Sequence, residues 1–298
     1  MSSRPTSPLI PFSVAAAGIA TFSAMDALMK SLSLAIGAYN ALLWRTLAGA
    51  IFGGAVFLLR RMKWPERPAL RVHLVRGILS VFMAITFFWG LARVPLAQGV
   101  ALAFIAPLIA LYLAALLLHE RIQRRAMYAS VLGLVGVGTI LSGQAEAHLG
   151  HAALLGSISI LVSALLYAFN IILMRKQALL AGPVEIAFFM SAVTSLGFLL
   201  VAPWFAELPA PRHLPAIGAV ALLAFVSLML LSWAYARAEA QHLAPVEYSA
   251  FIWASLLGFI FFHEPVRPLT LIGAAMIVGA CLTAARSKAH VADVGALV

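Results

Sequence analysis

The sequence predicts an all-α integral membrane protein of ten transmembrane helices, arranged as two inverted five-helix repeats with both termini cytoplasmic. Three observations predict it: an unusually apolar composition, basic residues that alternate in number between successive apolar runs, and a self-similarity at an offset of 144 residues.

Hydrophobic residues fill 63% of the 298 positions, charged residues only 10%, and the mean hydropathy is +1.02. A soluble domain carries about 45–50% apolar and about 25% charged residues. A chain this apolar has too little polar surface to cover itself in water, so lipid is its expected solvent. The net charge of +10 invites a nucleic-acid partner, but the basic residues sit in short runs between apolar stretches, as in Arg121, Arg124 and Arg125. That is the pattern of loops beside anionic headgroups rather than of one duplex-binding face, so the expected partners are a lipid bilayer and a small-molecule substrate, with no nucleic acid. Cys281 is the only cysteine, which excludes an intramolecular disulfide and a cysteine-based metal site. The short polar N-terminus lacks a cleavage site after a brief apolar core, so the first run is expected to be a retained helix.

Apolar runs of about 20 residues, enough to cross about 30 Å of hydrocarbon, fall at 11–32, 37–59, 72–92, 95–118, 126–143, 152–174, 183–205, 214–236, 244–262 and 268–285. Turn residues separate them: Trp64-Pro65-Glu66-Arg67-Pro68, Gly182-Pro183 and Pro209-Ala210-Pro211. Arg93-Val94-Pro95 and the Pro265/Pro268 pair mark two very tight connections. With the N-terminus inside, fifteen Lys and Arg, Arg76 among them, fall on inner loops, four (Lys30, Arg93, Arg212, Arg267) on outer ones, and Arg45 within a span, completing the 20. This imbalance fixes the expected orientation, and adding or losing one span would scramble it.

Shifted by 144 residues, 76–120 aligns with 220–264, bringing Trp89 onto Trp233, Arg93 onto Arg237 and His119-Glu120 onto His263-Glu264. The offset covers five spans, an odd number, so the second copy enters the membrane inverted. Residues 1–148 then form the first repeat and 149–298 the second. Inverted repeats let one packing open inward and its mirror open outward, the structural basis of alternating access.

Ten helices in two such repeats resemble the drug/metabolite transporter superfamily, in particular its EamA-type members. The residues that carry the resemblance are Leu116-Leu117-Leu118-His119-Glu120 followed by Gly133, Gly136 and Gly138. In the second half they are Pro245-Val246-Glu247-Tyr248, Gly258, Phe262-His263-Glu264-Pro265, Gly273 and Gly279. The sequence departs from the pattern in placing His before the Glu at both 119 and 263. Within the superfamily it is similar to the YddG-type bacterial exporters of aromatic and other amino acids. That resemblance implies a multi-pass transporter of the bacterial inner membrane, either uniport or proton-coupled.

A two-repeat transporter is expected to hold its substrate near mid-membrane between the halves. Ser163, Tyr167, Asn170 and Met174 share one face of the sixth span, as a hydrogen-bonding cavity wall or as a helix contact. Trp89 and Trp233 are candidates to line a central cavity, or to pack near the interface. Trp64 and Trp204, at span ends, read as interfacial belt residues. Tyr112, Tyr248 and Trp253 add aromatic candidates, with Ser255 beside them. Pro107 and Pro245 loosen two spans, freeing carbonyls as hinges or simply kinking the helix.

Intramembrane charge is costly. Asp26 and Lys30, spaced i, i+4, are placed to pair with each other. Arg45 reads as the only basic residue well inside a span, and Glu185 and Glu247 lie near span ends, Glu247 as a candidate substrate ligand. His119-Glu120 and His263-Glu264 fall on opposite sides of the membrane, so they cannot share a metal. Glu120 and Glu264 are expected to cap the helix that follows each. No phosphate-binding loop, cofactor motif, metal-ligand set or catalytic triad is present in the sequence. The expected function is therefore a transporter, not an enzyme, with no cofactor, and a monomer suffices to enclose the site. Other metabolite classes, such as a drug or a nucleotide sugar, remain alternatives, as does a lipid-modifying membrane enzyme using His119 or His263.

Overall fold

The computed structural model describes residues 9–118, 124–146, 150–235, 237, 243 and 246–288. Among these, regular structure is entirely helical: α1 (Leu9–Ile36), α2 (Ala38–Leu59), α3 (Arg67–Leu91), α4 (Leu96–Ala103), α5 (Ala106–Leu118), α6 (Arg124–Glu146), α7 (Gly150–Ala178), α8 (Pro183–Leu199), α9 (Ala202–Phe205), α10 (Leu214–Tyr235), α11 (Ala250–Phe262) and α12 (Pro268–Lys288), with a short 3₁₀ turn at Pro211–His213. Six stretches are long and apolar enough to cross a membrane: Ile10–Ile36, Ala38–Leu59, Arg67–Leu91, Leu96–Leu113, Gly150–Ala178 and Pro211–Tyr235. Met127–Gly143, Pro183–Leu199, Ala250–Phe262 and Pro268–Thr283 are shorter apolar helices. Large apolar side chains such as Ile51, Phe82, Leu134 and Phe261 are exposed, as contact with lipid requires.

Local chemistry sets the helix ends. Gly37 separates α1 from α2 at a φ of 79°, a left-handed value that glycine alone adopts without steric cost. Proline sits in the first turn of α3 and α8, where its missing N–H costs nothing. After α11 the chain turns at His263, whose φ of 54° is left-handed. There His263 N donates to Phe259 O and Glu264 N to Gly258 O, both at 3.1 Å, the first being the 5→1 bond of a left-handed helix cap.

Four expected spans differ from the structure. α3 starts at Arg67 rather than 72, because its polar first turn lies ahead of the apolar run that marked it. The seventh span, expected over 183–205, ends at Leu199, and Ala202–Phe205 forms a separate short turn of helix. The fourth and ninth runs are each broken, at Phe104–Ile105 and Tyr248–Ser249. The tight connections at 92–95 and 263–267 are as expected.

The most extensive helix pairs are α1 with α10, α2 with α8, α3 with α7, and α6 with α12. The 144-residue shift carries α1 onto α7 and α3 onto α10, so it exchanges the α3–α7 and α1–α10 pairs. It maps α2–α8 and α6–α12 onto themselves. Backbones come close at these crossings. A Cβ added at Gly90 of α3 would lie 2.5 Å from Gly156 O of α7, and one at Gly136 of α6 would lie 2.8 Å from Gly273 O of α12. Hydroxyls bridge the same interfaces, with Ser163 Oγ donating to Met83 O at 2.8 Å and Ser227 Oγ to Gly18 O at 2.9 Å. With no hydrophobic drive between helices in lipid, small residues and such bonds hold the bundle together.

Candidate functional site

The two broken runs meet. Pro107 has no N–H, so Ala103 O loses its helical donor. Leu108 N turns to Ile105 O at 3.1 Å, and Phe104 O instead accepts the Cys281 thiol at 3.3 Å. In the ninth run Ser249 N reaches Val246 O at 3.0 Å and Phe251 N reaches Tyr248 O at 3.2 Å. Phe104 and Tyr248 are related by the 144-residue shift, and their rings touch edge to face, centroids 5.3 Å apart at 86°. Pro245, the second expected hinge, lies outside the described residues, as do His119 and Glu120.

On one side of this contact, polar residues join three helices. Arg76 of α3 donates from Nε to Asn170 Oδ1 of α7 at 2.9 Å, and from Nη1 to Gln177 Oε1. The Gln177 amide donates to His73 Nδ1 at 2.6 Å, which leaves His73 Nε2 to donate to Glu185 Oε1 of α8 at 2.9 Å. The His73 ring, fully buried, stacks on Phe189 with centroids 4.7 Å apart. Each side chain in this chain of bonds has one consistent donor or acceptor role. Beside it, Tyr167 feels the charges of both Arg76 and Glu247, and Glu247 accepts a hydrogen bond from Tyr235. Tyr167, one turn before Asn170 on α7, is 39% exposed. Glu247 is exposed.

At the opposite end of the bundle, where α1, α3 and α11 finish, one ion pair and two hydrogen bonds tie the helices together. Lys30 Nζ lies 2.5 Å from Glu264 Oε1 and donates to Val94 O at 2.7 Å. Glu264 Oε2 accepts from Leu96 N at 2.7 Å, so it caps the start of α4 rather than the helix that follows it. The Lys30 ammonium also lies 5.0 Å from the Phe262 ring centroid. Lys30 therefore pairs with Glu264, 234 residues away, and not with Asp26. Asp26 is buried near Arg45, and Asp26 Oδ1 and Arg45 Nε have no hydrogen-bond partner. Arg45 is not alone inside a span, since Lys30 and Arg76 also belong to long helices.

The other residues singled out by sequence are scattered. Of the α7 face, Asn170 accepts from Arg76, whereas Ser163 is spent on Met83 O, the helix-contact alternative. Trp89 and Trp233 lie in the last turns of α3 and α10, with Arg93 and Arg237 guanidinium groups stacked 3.5 and 4.2 Å from their ring centroids. The structure does not bring the two tryptophans together. Trp253 packs among Ala15, Ile19 and Ala234 between α1 and α10. Tyr112 is half-exposed on α5. Tyr248 stands at the break beside Glu247. Trp64 and Trp204 are exposed at helix ends. Sequence reasoning missed Arg76, His73 and Gln177. Among the described residues, no group of three His, Cys, Asp or Glu is placed to hold a metal.

Comparison with known proteins places this architecture. The pseudopaline exporter CntI of Pseudomonas aeruginosa is 26% identical over 273 residues, 90% of this chain and 93% of its own. An S-adenosylmethionine uptake transporter of Rickettsia felis is 23% identical over 265 residues, 87% of each. A solved crystal structure shares the fold, with a TM-score of 0.64 at 20% identity over 95% of this chain and 100% of that one. The EamA-like transporter family matches residues 10–142 and again 154–286. The chain belongs to the EamA-like transporter family: it is a multi-pass membrane transporter of small molecules, not an enzyme.

Proposed function

We propose that the protein exports amino acids, aromatic or other neutral, and related small metabolites across the bacterial inner membrane by alternating access. In this reading residues 1–148 and 149–298 are inverted five-span repeats, ten spans in all. Both termini are cytoplasmic, and one chain is the functional unit. The observation that carries it is the meeting of the two broken runs at Phe104 and Tyr248, positions equivalent in the two repeats. Broken helices facing one another supply free carbonyls and a pivot at the bilayer midplane, where substrate binds in inverted-repeat transporters. The exchange of α3–α7 with α1–α10 under the repeat supports the inverted arrangement. The excess of Lys and Arg on loops at the His73 end supports a cytoplasmic position for that end and an outer one for the Lys30–Glu264 pair.

Transport of labelled phenylalanine, threonine, S-adenosylmethionine and a nucleotide sugar by the purified protein in liposomes tests the reading, with and without a pH gradient. Movement of an amino acid is expected. A rate unchanged by the gradient assigns uniport, and one that depends on it assigns proton coupling. If only the nucleotide sugar or S-adenosylmethionine moves, amino-acid export is wrong.

The broken fourth run adds a prediction. Pro107→Ala restores an N–H for Ala103 O, worth about 0.5–1.5 kcal/mol. Straightening the run by that amount disfavours the bent state about two- to tenfold. Transport is expected to slow by that factor with no loss of thermal stability in detergent. Unchanged rates would remove Pro107 from the gating motion.

A further inference from the structure

The chain of bonds from Asn170 to Glu185 has no place for a second proton on His73. His73 and Gln177 are both fully buried. The order of donors is set at the Arg76 end, since a guanidinium only donates. Its Nη1 takes the Gln177 oxygen, so the Gln177 amide nitrogen faces His73 and donates to Nδ1 at 2.6 Å. His73 then carries its proton on Nε2, which donates to Glu185 Oε1 at 2.9 Å. A proton arriving on Nδ1 sets an N–H against the N–H of Gln177. That contact is restored when the amide turns over and offers its oxygen to the ring. Turned so, it presents its NH₂ to Arg76, and two donors face each other there instead. The single amide oxygen serves His73 or Arg76, not both.

We propose that His73 is a proton-binding latch: a proton on Nδ1 takes the Gln177 oxygen from Arg76 and frees the Nη1 arm of the guanidinium from the end of α7. Asn170 keeps its bond to Nε throughout. Glu185 of α8 lies against Nε2 as the counter-charge that an imidazolium needs, and Phe189 of the same helix stacks on the ring. Arg76, on α3 behind Gln177, is the like charge, so the arriving proton also repels the group it releases. Gln177 of α7 is neutral, and its neighbour Lys176 is exposed. On α2, Phe57 meets Phe189, while Arg60 and Arg61 past its end are exposed. His73 and Arg76 lie in the first of the two matched family segments, and Asn170, Gln177 and Glu185 in the second. One proton therefore loosens a contact between the halves of the chain. The latch is independent of which metabolite is carried, and it gives the transport cycle a proton input where α3 begins.

Nitrogen NMR of the protein in liposomes, with isotope-labelled histidine and arginine and no substrate, is the test. Signals are assigned by backbone correlation, so the wild-type titration needs no variant to fold. Histidine ordinarily changes charge between about pH 8 and about pH 5. Over that range His73 Nδ1 is expected to move from the shift of a bare ring nitrogen to that of an N–H. The Arg76 Nη signals are expected to move with the same midpoint. In His73→Gln the Arg76 signals are expected to stay fixed. Gln177→Glu supplies a carboxylate whose oxygens can accept from both neighbours. There His73 is expected to take its proton at higher pH, beside the added negative charge, and Arg76 to stay still. A His73 ring that stays singly protonated throughout overturns the proposal, as does a ring that gains its proton while Arg76 does not respond. A merely structural bond network gives one of those two results. Failure of amino-acid export leaves this titration untouched, because no solute takes part in it.

Discussion

Glu264→Ala is expected to open the Lys30 end of the bundle. The substitution leaves the Lys30 ammonium, 3% exposed, with Val94 O as its acceptor, and uncaps Leu96 N. Removing one partner of a buried pair costs about 3–5 kcal/mol, because the other charge stays behind without compensation. That cost falls on the closed state alone, since opening returns Lys30 to water. A shift of about 3 kcal/mol is more than a hundredfold in the closed-to-open ratio. Maleimide labelling of a cysteine placed at Gln98, buried at this end near Glu264, measures it in a background lacking Cys281. Labelling is expected to rise by at least tenfold over the same cysteine with Glu264 intact. The double variant Lys30→Met with Glu264→Gln removes both charges and is expected to label nearly as slowly as the parent. Equal labelling in all three would show that the pair does not hold this end shut.

Gly90→Ala is expected to be the most destabilising single methyl in the α3–α7 interface. The added Cβ falls 2.5 Å from Gly156 O and 2.7 Å from Ile160 Cγ1. A side chain can rotate away from such a clash, but a carbonyl fixed in a helix cannot, so α3 and α7 must part. The bonds from Ser159 to Thr86 O, Ser163 to Met83 O and Arg76 to Asn170 span the same pair of helices and lengthen with them. Overpacking costs about 1–3 kcal/mol and occasionally more; the upper end is expected here, read as a fall in the thermal midpoint in detergent. Gly138→Ala is the control, because nothing lies within 4 Å of its Cβ position. Alanine there is expected to be neutral or to stabilise by up to about 1 kcal/mol through helix propensity. Similar effects at both glycines would show that the crossing is not tightly packed.

Breakers and apolar length placed the helices well where both signals coincide, as at Gly182-Pro183 and Pro268. They failed at α3, where Arg67, Arg71 and Arg76 read as loop charges although they lie on the helix. That error hid Arg76, because a basic residue counted toward the loops was never weighed as a buried cation. Asn170, which accepts from Arg76, was legible from its spacing on one face of α7. The same spacing offered Ser163, which instead faces α3, because periodicity gives a face and not its neighbour. The Asp26–Lys30 pairing failed for a related reason. A spacing of four residues makes contact available, but the acceptor set at Glu264 and Val94 O satisfies the ammonium better, and no local pattern announces a partner 234 residues away. The repeat was the informative long-range signal, since its offset relates Phe104 to Tyr248, whose rings touch.

The four largest helix pairs have a consequence for biogenesis. Each joins a helix before residue 147 to one after residue 149. When the first five apolar runs have left the ribosome, the faces of α1, α2, α3 and α6 that will bury Gly18, Gly53, Gly90 and Gly136 have no partner yet. Lys30 is likewise threaded into the bilayer before Glu264 has been synthesised, and Arg76 before Asn170 and Gln177 exist. The nascent chain must hold these polar groups against lipid, near the interface or under the care of insertion factors, until nearly the last helix arrives. Such dependence on late, distant contacts favours slow, all-at-once assembly over maturation one half at a time.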